Sequence, residues 1–305
     1  MKCDNTRIDW QSIGCSLQEK LNKEIAFSQT NVVSGGDIHQ SFHIQSQSPK
    51  ESIFIKVNHL DAFPVLESEA DSLTFIADTD SILCPTVILL GKTQEHAFLI
   101  MEYHHLISTG DDYQLGKQLA EMHQSSIKQQ VKPYGFKNDN FIGLTAQHNQ
   151  WKTNWCDFWI NCRIRPQLHL AYQNGFRSQL EHHEDQLVTA ITNLLNTYQP
   201  EPCLLHGDLW SGNKAFSQKT GEPIIFDPAC YYGDRETDIS LTRLFGGFSA
   251  LFYQGYQDTW PLNPDFEQRH PLYNLYHILN HLNLFGAGYL RQSITMIDSL
   301  IKQNK

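Results

Sequence analysis

The 305-residue sequence has no cysteine pair at CxxC spacing, and its seven cysteines are odd in number and scattered from Cys3 to Cys230. That spacing argues against a disulfide framework and against a zinc knuckle, so reduced thiols are expected. No uninterrupted apolar run is long enough to span a bilayer. The opening residues, MKCDNTRIDWQSIG, hold no apolar signal core. A cytoplasmic protein without a membrane partner is the expectation. Basic residues are also in short supply: 23 Lys and Arg stand against 33 Asp and Glu, a formal net charge of −10. Phosphate-rich polymers need a positive contact face, so no nucleic-acid partner is expected. The sequence shows no internal repeat, low-complexity segment or long linker.

What is present is a globular composition, 40% hydrophobic and 18% charged. The length suits two ordinary domains or one large bilobal fold. The first hundred residues read as strands with one helix. ESIFIKVN alternates, with Ile53, Ile55 and Val57 on one side and Phe54 and Lys56 on the other. PVLESEADSLTFIAD has a helical period through Leu66, Ala70 and Leu73. TVILLGKTQEHAFLIMEYH predicts a hairpin that turns near Gly91-Lys92, with its second strand ending at Met101.

Character changes after Tyr103. TGDDYQLGKQLAEMHQSS predicts an amphipathic helix capped by Asp111 or Asp112. PYGFKNDNFIG reads as a loop, the Trp-rich WKTNWCDFWINCRIRPQLHLA as helix, and FRSQLEHHEDQLVTAITNLLNTYQP as a helix ended by Pro200. Short strands, CLL and PIIF, flank the segment HGDLWSGN. From about Thr237 the chain reads as mostly helical. The expected class is α+β and bilobal, with a small β-rich N-lobe over residues 1–102 and a larger, mainly helical C-lobe over 103–305.

One set of residues suits phosphoryl transfer from ATP. That reaction needs a cation at the phosphates, oxygen ligands for Mg2+, and a carboxylate to take the attacking hydroxyl's proton. Lys56 lies on a strand, and Glu69 follows on a helix, placed to pair with it. Glu102, Tyr103 and His104 form a hinge-like segment with backbone groups for an adenine edge. Asp208 is the candidate proton acceptor, and Asn213 and Asp227 are the candidate magnesium ligands. His277 and His281 stand at a spacing zinc can use, but no third ligand accompanies them and packing histidines are expected.

HGDLWSGN followed by IIFDPA resembles the aminoglycoside-phosphotransferase branch of the protein-kinase-like fold. IFIKVN, YGFKNDNFIG, CRIRPQLHLA, LLHGDLWSGN, IIFDPACYYGDRETDISL and PLYNLYHILNHLNLFGAGYL together resemble the fructosamine kinase (ketosamine-3-kinase) family, over essentially the whole chain and in the family's order. The resemblance implies Asp208 as proton acceptor, Asn213 and Asp227 on magnesium, Lys56 on the nucleotide phosphates with Glu69 holding it, and adenine at Glu102–His104. It implies Trp210 in the sugar pocket, where an indole face can stack on C–H groups. The implied substrates are ATP and a ketosamine, a free or protein-bound ribulosamine or fructosamine adduct. The implied reaction is phosphorylation of its 3-hydroxyl, leading to deglycation.

HGD in place of HRD and DPA in place of DFG argue against a regulated protein kinase. The glycine-rich segment SGGDIHQS has Asp37 where some family members carry a cysteine linked to redox-sensitive dimerisation. Two other readings stand beside this one: a related kinase of an aminoglycoside, choline-like or sugar hydroxyl, and a nucleotide-binding regulator without turnover.

Overall fold

The structure is a computed structural model that describes residues 8–22, 27–33, 38–46, 52–128 and 133–303. The Gly35-Gly36-Asp37 part of the glycine-rich segment lies outside the described residues.

Alternation builds the first layer. Helix α1 (Trp10–Leu21) leads into strands β1 (Phe27–Val33), β2 (Gln40–Ser46) and β3 (Ser52–His59). Helix α2 (Phe63–Ala77) follows, then β4 (Val87–Lys92) and β5 (His96–Glu102). The five strands form one antiparallel sheet in the order β1-β2-β3-β5-β4. Ile53, Ile55 and Val57 face outward with Phe42, Ile44, Phe98 and Ile100, and α1 covers them with Ile13 and Leu17. The other face of β3 carries Phe54 and Lys56 towards α2 and the rest of the molecule, as the alternation predicts.

Two features of this layer differ from the expectation. The sequence suggested one helix here, and α1 is a second. Asp9 caps it by accepting from the Ser12 amide at 3.0 Å, and Asn22 closes it in the left-handed region at φ 51°. The hairpin also turns later than Gly91-Lys92. Both residues stay in β4, and the turn is made by Thr93–Glu95, with the Thr93 amide donating to the His96 carbonyl at 2.7 Å. Gly91 is there because Phe98 lies across it: a Cβ would stand 2.3 Å from the Phe98 ring.

Past the hinge the chain is mainly helical. A two-residue strand, β6 (Leu106–Ile107), precedes α3 (Asp112–Lys128), which Asp111 caps through the Gln114 amide at 3.0 Å. The expected loop after it contains a small hairpin, β7 (Asn140–Ile142) and β8 (Thr145–Gln147). Helices α4 (Trp155–Trp159), α5 (Arg165–Ala171), α6 (Arg177–Leu180) and α7 (Glu184–Leu195) follow, with wide π-type turns after α4 and α5. The Trp-rich helix thus starts only at Trp155, because Lys152 is paired with Tyr134 in an isolated bridge. The last helix of the group stops at Leu195, ahead of Pro200. Trp155 and Trp159 are wholly buried, and the Trp155 indole N–H donates to the Tyr273 hydroxyl at 3.1 Å.

Short strands then frame the centre of the molecule: β9 (Cys203–Leu205), β10 (Lys214–Ser217), β11 (Pro223–Ile225) and β12 (Tyr231–Gly233). β9 pairs with β12, and β10 pairs with both β11 and β6. Helices α8 (Glu236–Leu244), α9 (Ala250–Thr259), α10 (Phe266–Phe285) and α11 (Leu290–Gln303) complete the chain. No described helix is long and apolar enough to cross a membrane.

Candidate active site

The strand alternation that sends Ile55 and Val57 outward sends Lys56 inward. Its ammonium lies 2.7 Å from Glu69 Oε1 on α2 and 2.7 Å from Asp227 Oδ1, which follows β11. Lys56 is only 7% exposed. Burial lowers its pKa, but Asp227 and Glu69 together outweigh burial and raise it, so the ammonium stays charged through the neutral range. Burial pushes Glu69 upward, against the pull of Lys56. Asp227 sits at φ 57°, in the left-handed region that non-glycine residues rarely adopt, and its side chain is 45% exposed.

Asp208 sits in the loop after β9, and that loop is laced to the one carrying Asp227. The Phe226 amide donates to the Asn213 carbonyl at 3.1 Å, and the Ala229 amide to the His206 carbonyl at 2.8 Å. The His206 ring adds a third tie. Its Nδ1 accepts from the Asp208 amide at 3.2 Å, so the proton is on Nε2, which donates to the Phe226 carbonyl at 3.0 Å. Burial lowers the His206 pKa and keeps the ring in this neutral form. Gly207, at φ 80°, lets the two loops approach: a Cβ there would stand 2.1 Å from the Ala229 carbonyl oxygen.

Beneath the loop, Asp238 of α8 accepts the His206 amide at 2.7 Å, the Gly207 amide at 2.9 Å and His123 Nε2 of α3 at 3.1 Å. Burial works to raise the Asp238 pKa, but the His123 and Gly207 hydrogen bonds win and the carboxyl is held below its usual range.

Asp208 titrates in the other direction. Burial first, then the charges of Asp227 and Asp238, push its pKa up to about 7, against the Asn213 hydrogen bond. Asn213 Nδ2 donates to the Asp208 carbonyl at 2.9 Å and lies 3.5 Å from its Oδ2. With the nitrogen end committed, the amide oxygen is the end left for a cation. The donor set of one amide oxygen and one half-exposed carboxylate beside the Lys56 site is hard, oxygen-only and short of a full protein cage. That fits magnesium, which binds through one or two protein oxygens with the rest supplied by phosphate and water.

The hinge is pinned on both sides. The Glu102 amide donates to the Thr86 carbonyl at 2.9 Å, and Thr86 Oγ1 to Glu102 Oε2 at 3.1 Å. His104 Nε2 is 3.7 Å from the same carboxylate. The Tyr103 ring stacks flat on His43 of β2, with centroids 3.6 Å apart and planes 9° apart. Trp210 lies in the Asp208 loop, 41% exposed, with its indole laid over Gly212. The zinc-spaced histidines lie in α10: His277 is buried, and His281 Nδ1 bonds to the His277 carbonyl at 2.8 Å.

Lys56, Glu69 and Asp227 therefore meet in ion pairs, and the loop that carries Asp208 and Asn213 is laced to the one that carries Asp227. The Fructosamine kinase model matches residues 9–303. The chain belongs to the fructosamine kinase family. A probable ketoamine kinase of Vibrio parahaemolyticus is 42% identical, covering 96% of this chain and 99% of the relative. A chloroplastic protein-ribulosamine 3-kinase of Oryza sativa subsp. japonica is 38% identical over 90% of this chain and 79% of its own. The crystal structure of a candidate fructosamine-3-kinase of Haemophilus somnus superposes with a TM-score of 0.87 at 28% identity, covering 95% of this chain and 97% of that one. As a member of this family the chain is an ATP-dependent phosphotransferase with the bilobal, protein-kinase-like fold.

Sequence reasoning missed His206, Asp238 and His123, which hold the Asp208 loop. Asp238 was visible as an acid inside IIFDPACYYGDRETDISL, but its role is to accept backbone amides, and those carry no sequence signature.

Proposed function

We propose that this kinase transfers the γ-phosphoryl group of ATP to the 3-hydroxyl of a ketosamine, a ribulosamine or fructosamine adduct, with Asp208 as the proton acceptor. The observation that carries the reading is the Asp208 carboxyl, poised at about pH 7 beside Asn213 and the Lys56–Asp227 pair. A general base works best when its pKa lies near the working pH. As the substrate oxygen bonds to phosphorus, its proton passes to Asp208 and ADP departs.

Lys56, locked as a cation, meets the nucleotide phosphates, and Glu69 keeps its ammonium aimed. The Glu102–His104 hinge holds the adenine edge. Asn213 and Asp227 are the residues that would hold Mg2+, which when bound supplies positive charge to the phosphoryl oxygens. The exposed Trp210 indole offers its face to the sugar's C–H groups. The nucleotide part spans 1–102 and the acceptor part 103–305, in a cytoplasmic protein. A phosphate at the sugar's third carbon leaves more readily than hydroxide, so the product breaks down and frees the amine, which amounts to deglycation. The ribulosamine kinase and ketoamine kinase relatives support this acceptor class.

The test is magnesium-dependent ADP release with ribulose-amine and fructose-amine adducts, beside choline and an aminoglycoside. Turnover on an adduct is expected. Turnover confined to choline or the aminoglycoside would overturn the acceptor.

A further inference from the structure

The inner face of β2 is polar. Phe42 and Ile44 point outward into the α1 layer, while Ser41 and His43 are buried on the inner side, opposite Lys56 and Phe54 of β3. His39, just ahead of β2, continues that polar row towards the Lys56 end. Its Nδ1 lies 2.9 Å from the side-chain nitrogen of Asn58, which shares the Lys56 face of β3.

The Asn58 amide has a defined orientation. Its oxygen accepts the His59 amide at 2.8 Å and its nitrogen donates to the Ile38 carbonyl at 3.0 Å. The nitrogen is therefore the donor towards His39, and Nδ1 is the acceptor. In a neutral ring the proton must then sit on Nε2, the corner turned away from Asn58. The ring is part-buried and close enough to Lys56 and Asp227 to feel both charges. Burial first, then Lys56, lower its pKa to about 4, against Asp227, so the ring is uncharged at neutral pH.

We propose that His39 binds the nucleotide's polyphosphate, its Nε2–H donating to a phosphate oxygen beside the Lys56 ammonium. A neutral donor suits that place, since a second cation there would repel Lys56. The inference rests on the ATP reading above and adds a residue that fixes where the phosphates lie.

The two ring nitrogens can be tested apart, because Gln places an amide nitrogen near the Nε2 position and Asn near Nδ1. Binding of ADP, ATP and adenosine to the full chain would be measured by calorimetry without any sugar acceptor, so the result is independent of the ketosamine. His39→Ala should weaken ADP and ATP by about 10- to 100-fold, the range for a hydrogen bond to a charged group. Adenosine binding should hold. His39→Gln should recover most of the loss and His39→Asn should not. Unchanged ADP and ATP affinity in His39→Ala would overturn the proposal, and so would an equal loss for adenosine. Recovery by Asn but not Gln would assign the ring to holding Asn58 and overturn it too. A wild-type chain that bound no nucleotide would sink the ATP reading and the His39 role together, whereas nucleotide binding without ketosamine turnover would overturn the acceptor alone.

Discussion

Asp208 works against the stability of the fold that holds it. Its folded pKa of about 7 lies above the ordinary carboxyl value, so the folded chain grips this proton more tightly than the unfolded chain. The contribution is favourable below the unfolded pKa and is lost as pH rises through the folded one. Asp208→Asn, which cannot ionise, should therefore raise the melting temperature at pH 8, by about 1–2 °C for roughly 1 kcal/mol of relief in a chain of this length. The same variant should lose turnover by about 10²–10⁴-fold, as for a lost general base, while still binding ATP. Near-wild-type turnover would remove Asp208 from the chemistry. For the wild type, kcat/KM should fall as pH drops through about 7, because the protonated carboxyl cannot accept a proton. A profile flat from pH 6 to 8 would contradict the base. At this scale part of the arrangement was legible: Lys56 and Glu69 are unusual residue types for buried faces, and the sequence singled out both of them with Asp227, which the structure brings into contact with Lys56. His39 was not readable as a ligand, since its value lies in a tautomer set by Asn58.

The loop after β9 depends on α8 more than on its own residues. Asp238 takes two backbone amides and a buried imidazole, so its carboxylate is worth more in the folded chain than in the unfolded one. Its pKa is depressed, so that stability is present above the unfolded value and disappears as pH falls through the folded one. Asp238→Asn should cost about 1–3 kcal/mol at pH 7 and flatten acid unfolding below pH 4, read by circular dichroism across a pH series. Gly207→Ala faces both a positive φ and the Ala229 carbonyl, and should cost about 2–4 kcal/mol with loss of turnover. Wild-type stability in that variant would mean the close approach relaxes freely. Elements were legible where a period was long, as in β3, α2 and α3. Helix α1 escaped notice because Ile13, Gly14 and Leu17 are its only buried residues. The late hairpin turn was hidden because Gly91 looks like a turn residue and is in fact the seat of the Phe98 ring.

Across the whole molecule, the Lys56–Asp227 contact joins the β-sheet region to the helical one. A nucleotide that bridges the same groups should stabilise the whole chain by linkage. At a hundredfold excess over Kd, ATP with magnesium should add about 2.7 kcal/mol, seen as a higher melting temperature. Asp227→Ala should remove the magnesium-dependent part of that shift. An undiminished shift would show that the metal is held elsewhere. The contact also spans 171 residues of chain. Closing so long a loop costs more chain entropy than forming the local hairpins and helices does. During synthesis, Lys56 and Glu69 leave the ribosome well before Asp227 exists. A nascent chain that already carries Lys56, Glu69 and the whole five-stranded sheet therefore still lacks Asp208, Asn213 and Asp227, so the full set of site residues cannot assemble until the second half of the chain has been made.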